Sequence, residues 1–167
     1  VEYLWSRQHR ISFNYSGNAQ EPSFDQIQPV RDVTNPQKPI IGNPNLLATF
    51  NHSIRGNYNN YIANAKLNYS FNMNYSFTDN AVIRNNVEVE DFSVKTDPND
   101  RPVYITETRF LNVGGARRFD ANYSVSKQLD NRKYNLALSG RVNFDHRLSM
   151  SNNLLNVNDV QTFIQRF

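Results

Sequence analysis

The chain has 167 residues, a formal net charge of +3 and no cysteine. Without Cys there is no disulfide frame, no thiolate metal site and no Cys nucleophile. The positive charge is small and scattered, with no Lys/Arg stripe interleaved with aromatics, which argues against nucleic acid as a partner.

No window approaches 18 consecutive apolar residues, so no helix is expected to cross a membrane. A mean hydropathy of -0.69 is compatible with a β-barrel, because barrel strands are only half apolar and their loops are polar. About one residue in six is Asn, a poor helix former that favours turns. The first residue is Val1 and no secretory leader is present. Export requires such a segment, so a processed chain or an internal piece of something larger is expected.

The first strand expected spans residues 9–17, with Ile11, Phe13 and Tyr15 on one face. Residues 18–47 then form a long irregular stretch. Pro22, Pro29, Pro36, Pro39 and Pro44 exclude a regular helix or a central strand there. A second strand is expected over 49–58, and Asn59-Asn60 reads as a tight turn.

The most regular strand follows, over about 61–83. Between Leu67 and Phe77 every odd position is large and apolar, and every even position is Asn or Ser. Side chains alternate faces along a strand, so this segment has one greasy and one wet face. At about 3.3 Å per residue it spans roughly 36 Å. Tilted about 45°, it covers roughly 25 Å, the height of the apolar band of an outer-membrane barrel. A half-buried strand in a soluble sheet gives the same alternation.

Residues 87–94 are expected as a strand extension carrying Glu88, Glu90 and Asp91, and 96–100 as a turn. The chain returns over 103–113. Gly114-Gly115 marks a bulge or bend. Clean alternation resumes at Phe119 and runs to Leu129, with Lys127 interrupting the apolar face where it could snorkel at a membrane edge. After a short turn at 130–133, Tyr134, Leu136, Leu138, Gly140, Val142, Phe144, Leu148 and Met150 share one register. Residues 151–167 begin as a polar loop.

Connections thus alternate long and short, as in outer-membrane barrels with long extracellular loops and short periplasmic turns. By that rule the Pro-rich stretch, the acidic stretch and the last segment lie outside the cell. The fold expected is all-β: an antiparallel up-and-down transmembrane β-barrel segment of about five to six strands. It occupies 1–167 as a single incomplete unit of a larger barrel. The rival reading is a soluble all-β sandwich, a binding module of the glycan-binding kind on a secreted protein.

Little in the chain points to catalysis. Glu88 and Glu90 share a strand face, but a solvated loop explains them better than a catalytic pair. His9, His52 and His146 are far apart in sequence and sit in no metal motif. No G-x-S-x-G elbow and no P-loop is present. Glycosylation-type words such as Asn68-Tyr69-Ser70 fall out of the strand alternation. No enzyme activity, cofactor or metal is expected.

The Pro-rich loop reads Pro22-Ser23-Phe24-Asp25-Gln26-Ile27-Gln28-Pro29-Val30-Arg31-Asp32, then Asn35-Pro36, then Ile41-Gly42-Asn43-Pro44-Asn45-Leu46. This wording resembles the barrel region of TonB-dependent receptor-like outer membrane proteins of the Bacteroidetes type. There, similar "PS…QLQPV.D..NP" and "GNP.L" segments link two barrel strands. The chain departs after Leu46, where Leu47-Ala48-Thr49 replaces the family's frequent "LKPE". The resemblance covers nearly the whole chain and implies a fragment of the C-terminal half of a barrel of about 22 strands. It also implies residence in a Gram-negative outer membrane. The implied partners are outer-membrane lipid, the remaining strands and plug of the parent protein, TonB acting through the parent, and a surface lipoprotein. The implied activity is uptake of an unidentified solute.

Within that frame, Phe24, Arg31, Tyr104, Phe110, Arg117 and Arg118 are candidate solute contacts on extracellular loops. Arg141 is a candidate lumen contact, although a satisfied structural charge is the simpler reading. The Pro-rich loop is either a recognition surface or a clamp packed on the barrel rim. The lipid face is expected to hold Leu67, Tyr69, Phe71, Met73, Tyr75, Phe77, Tyr123, Val125, Leu136, Leu138, Val142 and Phe144. Phe71→Arg or Leu138→Arg should therefore cost about 2–4 kcal/mol near mid-bilayer, measured by reversible folding of the parent protein into lipid. A near-neutral result would reverse the two faces.

Overall fold

The computed structural model describes residues 2–6 through their backbone, and residues 9–91, 102–130 and 133–167. The elements are β1 (Glu2–Ser6), β2 (His9–Gln20), α1 (Phe24–Ile27), β3 (Arg31–Asp32), β4 (Ile40–Ile41), β5 (Thr49–Ile62) and β6 (Leu67–Asp79). After them come β7 (Ala81–Glu90), β8 (Tyr104–Val113), β9 (Ala116–Leu129), β10 (Tyr134–Ser151) and β11 (Leu154–Arg166). The expected turn at 96–100, the outer part of the expected 87–94 strand and positions 131–132 lie outside the described residues.

β1, β2, β5, β6, β9, β10 and β11 form a wall in that order, every neighbour antiparallel. The wall curls as a half-barrel. Directly paired residues share a face, so register carries the sequence alternation across the sheet. Tyr58 pairs Phe71, Phe71 pairs Tyr123, and Tyr123 pairs Gly140. Asn57 pairs Asn72, Asn72 pairs Asn122, and Asn122 pairs Arg141. One face is therefore apolar and aromatic, and the other is built of Asn, Ser and Arg. All twelve residues expected on the lipid face fall on the apolar side of this register.

Glycine lets the aromatics lie flat on the apolar face. A side chain at Gly140 would overlap the Tyr123 ring, and one at Gly56 would crowd Met73 and Phe13. Large apolar groups stay exposed along the wall, including Phe13, Tyr15, Phe71, Leu136 and Phe163. A contiguous surface of this kind is foreign to a soluble monomer and suited to lipid.

Three expectations need correction. Among the described residues the sheet contains 11 strands, not five or six. Part of the excess comes from long strands that break. One register runs from Leu67↔Lys127 to Thr78↔Ala116 and resumes from Ala81↔Val113 to Glu90↔Tyr104. The break falls where Asn80 takes φ 53° and Gly115 takes φ 107°. The rest comes from β1, the two-residue β3 and β4, and β11. Pairing is also not purely up-and-down: β7 meets β10, and β4 meets β8, in short parallel contacts.

Secondly, residues 151–167 are not an external loop. Asn152 and Asn153, both with positive φ, turn the chain, and β11 then pairs β10 from Ser151↔Leu154 back to Ser139↔Arg166. Two successive Asn with positive φ are a hairpin signal. It was masked by Asp159 and Gln161, which interrupt the apolar register. Thirdly, Asn59-Asn60 is not a turn. Both residues continue β5, and the chain reverses at 63–66, closed by Lys66 with φ 47°. The soluble sandwich is likewise set aside, because the described strands form one sheet rather than two facing ones.

Most of the core lies away from the wall, in a loop layer at its long-connection end. The β7–β8 hairpin bends over there. The Pro-rich segment crosses it: Thr106 N–H donates to Gln37 O, Thr108 N–H to Pro39 O, and Asn43 Nδ2 to Phe110 O. Asn112 Oδ1 accepts from Leu47 N–H, and its Nδ2 donates to Leu47 O and Asn80 O. The β10–β11 turn docks on the same hairpin, with Asn85 Nδ2 donating to Asn153 Oδ1 at 2.7 Å. Pro39, Asn85, Val87, Ile105, Glu107 and Phe110 are buried.

Gly42 is tied in by a backbone approach that leaves no room for a side chain. A Cβ there would stand 2.3 Å from Gln28 O. Gly42→Ala should therefore loosen the Pro-rich segment at a cost of about 1–3 kcal/mol, while the wall strands stay paired. Limited proteolysis of the folded parent is the readout, with new cuts expected between β2 and β5.

Candidate functional site: the polar face of the wall

On the polar face, β9 and β10 bring charge together at alternate positions. Asp120 of β9 faces Asn74 on β6 and Asn143 on β10. Its carboxylate accepts from Arg118 Nε at 2.7 Å and Arg118 Nη2 at 3.3 Å. It also accepts from Arg141 Nη2 at 3.1 Å and Asn143 Nδ2 at 2.6 Å. One strand across, Arg147 donates to Asp145 Oδ2 through Nε at 2.8 Å and Nη2 at 2.5 Å. Asp145 is 7% exposed.

Arg118, Arg141, Asn143, Asp145, Arg147, Val160, Thr162 and Ile164 line an open hollow of about 250 Å³. A second hollow of about 530 Å³ lies over β2, β5 and β6, lined by Arg10, Ser12, Asn57, Asn59, Ser70 and Asn72 among others. Both hollows open on the polar face. The chemistry available there is hydrogen bonding and charge pairing. Among the described residues, no three His, Cys, Asp or Glu converge as a metal site.

Of the residues singled out from the sequence, Arg118 and Arg141 meet on Asp120. Arg31 lies on β3, its Nη2 3.9 Å from Glu107 Oε2. Glu107 is 4% exposed, and its Oε1 also accepts from Arg109 Nε at 2.5 Å. Phe24 and Tyr104 stand exposed, on α1 and at the start of β8. Phe110 is expected at a loop surface but lies inside the loop layer at 6% exposure. Arg117 and Arg118 are expected in a loop but belong to β9, on opposite faces. Asp120, Asn143, Asp145 and Arg147 were missed as site residues. Their signal was present: charges spaced by two on the polar register of long alternating strands.

Nearby in the loop layer, the Thr34 hydroxyl and then the Thr34 N–H hold the Asp32 carboxyl below the usual carboxylate range. A lowered folded pKa stabilises this turn above the ordinary carboxylate value of 3.8. That contribution fades as pH falls further and the carboxylate protonates.

One face fit for lipid and one for a polar lumen define the wall of a membrane β-barrel. The chain belongs to the outer membrane protein β-barrel family, whose model matches residues 1–165. Its location is accordingly the outer membrane of a Gram-negative bacterium. No curated protein and no solved structure gives a significant match.

Asp120 is the hub of the lattice, since it accepts four hydrogen bonds from three side chains. Asp120→Ala should cost about 1–3 kcal/mol, because it strands several donors at once. Arg141 is half exposed, so Arg141→Ala should cost less than about 1 kcal/mol. Unfolding of the lipid-embedded parent in urea separates the two. Equal losses would mean that Asp120 is not the hub.

Proposed function

We propose that this chain is wall and lumen of a TonB-dependent receptor-like transporter, which imports an unidentified solute across the outer membrane. The energy is passed from the inner membrane through TonB to the parent protein, and the solute is first met at the extracellular side, where a surface lipoprotein can assist. The wall itself performs no covalent chemistry. The observation that carries this reading is the Arg118–Asp120–Arg141–Asn143 lattice on the polar face, opposite an apolar face. Such a lattice offers fixed, satisfied charges to whatever fills the lumen, be it solute or plug.

The Pro-rich words that resemble the receptor family also have a structural role that fits it. Residues 37–47 are bonded to β8 and so hold the loop layer over the rim. A tethered mouth suits a gated receptor better than an open sieve. The alternative of an open diffusion pore is separated by conductance. In planar bilayers the parent protein is expected to stay closed to small ions. A steady conductance that needs no energy input would overturn the transporter reading and leave the barrel wall intact.

A further inference from the structure

We infer that Arg117 is an anchor for the phosphate headgroup of an outer-leaflet lipid. This rests on the membrane orientation of the wall and on no particular transported solute.

Arg117 lies on the apolar face, paired with Phe77 on β6 and with His146 on β10. It is exposed and has no hydrogen-bond or ion-pair partner among the described residues. The ionisable groups around it are committed. His146 Nδ1 lies 2.5 Å from Asp159 Oδ1. His52 stacks on Phe77 with ring centroids 4.3 Å apart. Its Nδ1 meets the Tyr15 hydroxyl at 2.9 Å, and its Nε2 lies 3.3 Å from Asp79. Arg118, next in sequence, points to the other face and is held by Asp120. Arg117 is thus the one uncommitted cation at this end of the apolar face among the described residues.

Its level is what gives the charge meaning. From Arg117 to Lys127 the strand advances about 33 Å, or about 25 Å of bilayer at a tilt of about 40°. Between them the apolar face of β9 carries Phe119, Ala121, Tyr123 and Val125, and none is charged. The two free cations therefore stand at opposite edges of one apolar band. Arg117 marks the edge next to the loop layer, which the long-loop rule places outside the cell.

A guanidinium at that edge meets lipid headgroups. It has a planar fork of donors that matches a phosphate, and its apolar stem can lie along Phe77 and the lipid tails. A headgroup without phosphate would leave the fork unsatisfied. A phosphorylated glycolipid of the outer leaflet satisfies both the charge and the apolar face beneath it.

The test uses the full parent protein, purified in detergent and incubated either with bis-phosphorylated lipid A or with the same lipid stripped of its phosphates. Retained lipid is counted by native mass spectrometry. The wild-type protein should hold the phosphorylated form about tenfold better, the worth of a charge-assisted hydrogen bond. Arg117→Gln should remove that preference, while Lys127→Gln should keep it. Equal retention of the two lipids by the wild-type protein overturns the proposal, and that arm needs no variant to fold. Displacement of the lipid by excess inorganic phosphate also overturns it, because the site would then take free phosphate rather than a headgroup.

Discussion

Within a bilayer no water is available to the backbone, so every N–H and C=O in the wall must bond to a neighbouring strand. The rest of this structure depends on that constraint. It forces long strands in continuous register, and the two-residue period of a strand then sorts side chains between lipid and lumen. The pairing of β2, β5, β6, β9, β10 and β11 carries this sorting over most of the chain. Asn and Ser do on one face what Tyr, Phe and Leu do on the other.

A one-sheet wall has little interior, and the buried apolar core is displaced accordingly. Among the described residues, the buried hydrophobic side chains apart from Ala121 belong to the β7–β8 hairpin. Order in the loops comes from backbone bonds across the Pro-rich segment and from Asn side chains that mimic backbone, at Asn43, Asn112 and Asn152–Asn153. Loops built this way keep a defined shape above the rim.

Charge is placed with the same economy. On the inner face Arg118, Arg141 and Arg147 are matched to Asp120 and Asp145, which leaves a patterned polar lining. On the outer face ionisable groups keep to the ends of the band, and at the loop end they pair as His52–Asp79 and His146–Asp159. Such pairing lowers the penalty of charge near lipid. The same division makes the polar face the place to seek contacts with whatever fills the lumen, and the outer edge the place to seek contacts with lipid.

Much of the wall was legible in the sequence, because strand period is local. The alternations in β6, β9 and β10 declare their two faces without reference to any neighbour, and Gly114-Gly115 announces its bend. β11 was obscured where Asp159 and Gln161 break the apolar register, since His146 on the adjacent strand is what accommodates Asp159. The charged lattice was only half legible. Positions 118, 120, 141, 143, 145 and 147 are visibly on the polar register, and Arg118–Asp120 and Asp145–Arg147 are neighbours two apart on one strand, but the reach of Arg141 and Asn143 to Asp120 depends on the stagger between β9 and β10. The packing of the β7–β8 hairpin against the Pro-rich segment and the burial of Phe110 were not legible, because they depend on backbone bonds between segments distant in sequence. The sequence by itself determined the two-faced wall, since alternation is written residue by residue. Only the tertiary structure decided the loop layer and the lattice, since pairing between distant segments is set by register and bend and not by any local pattern.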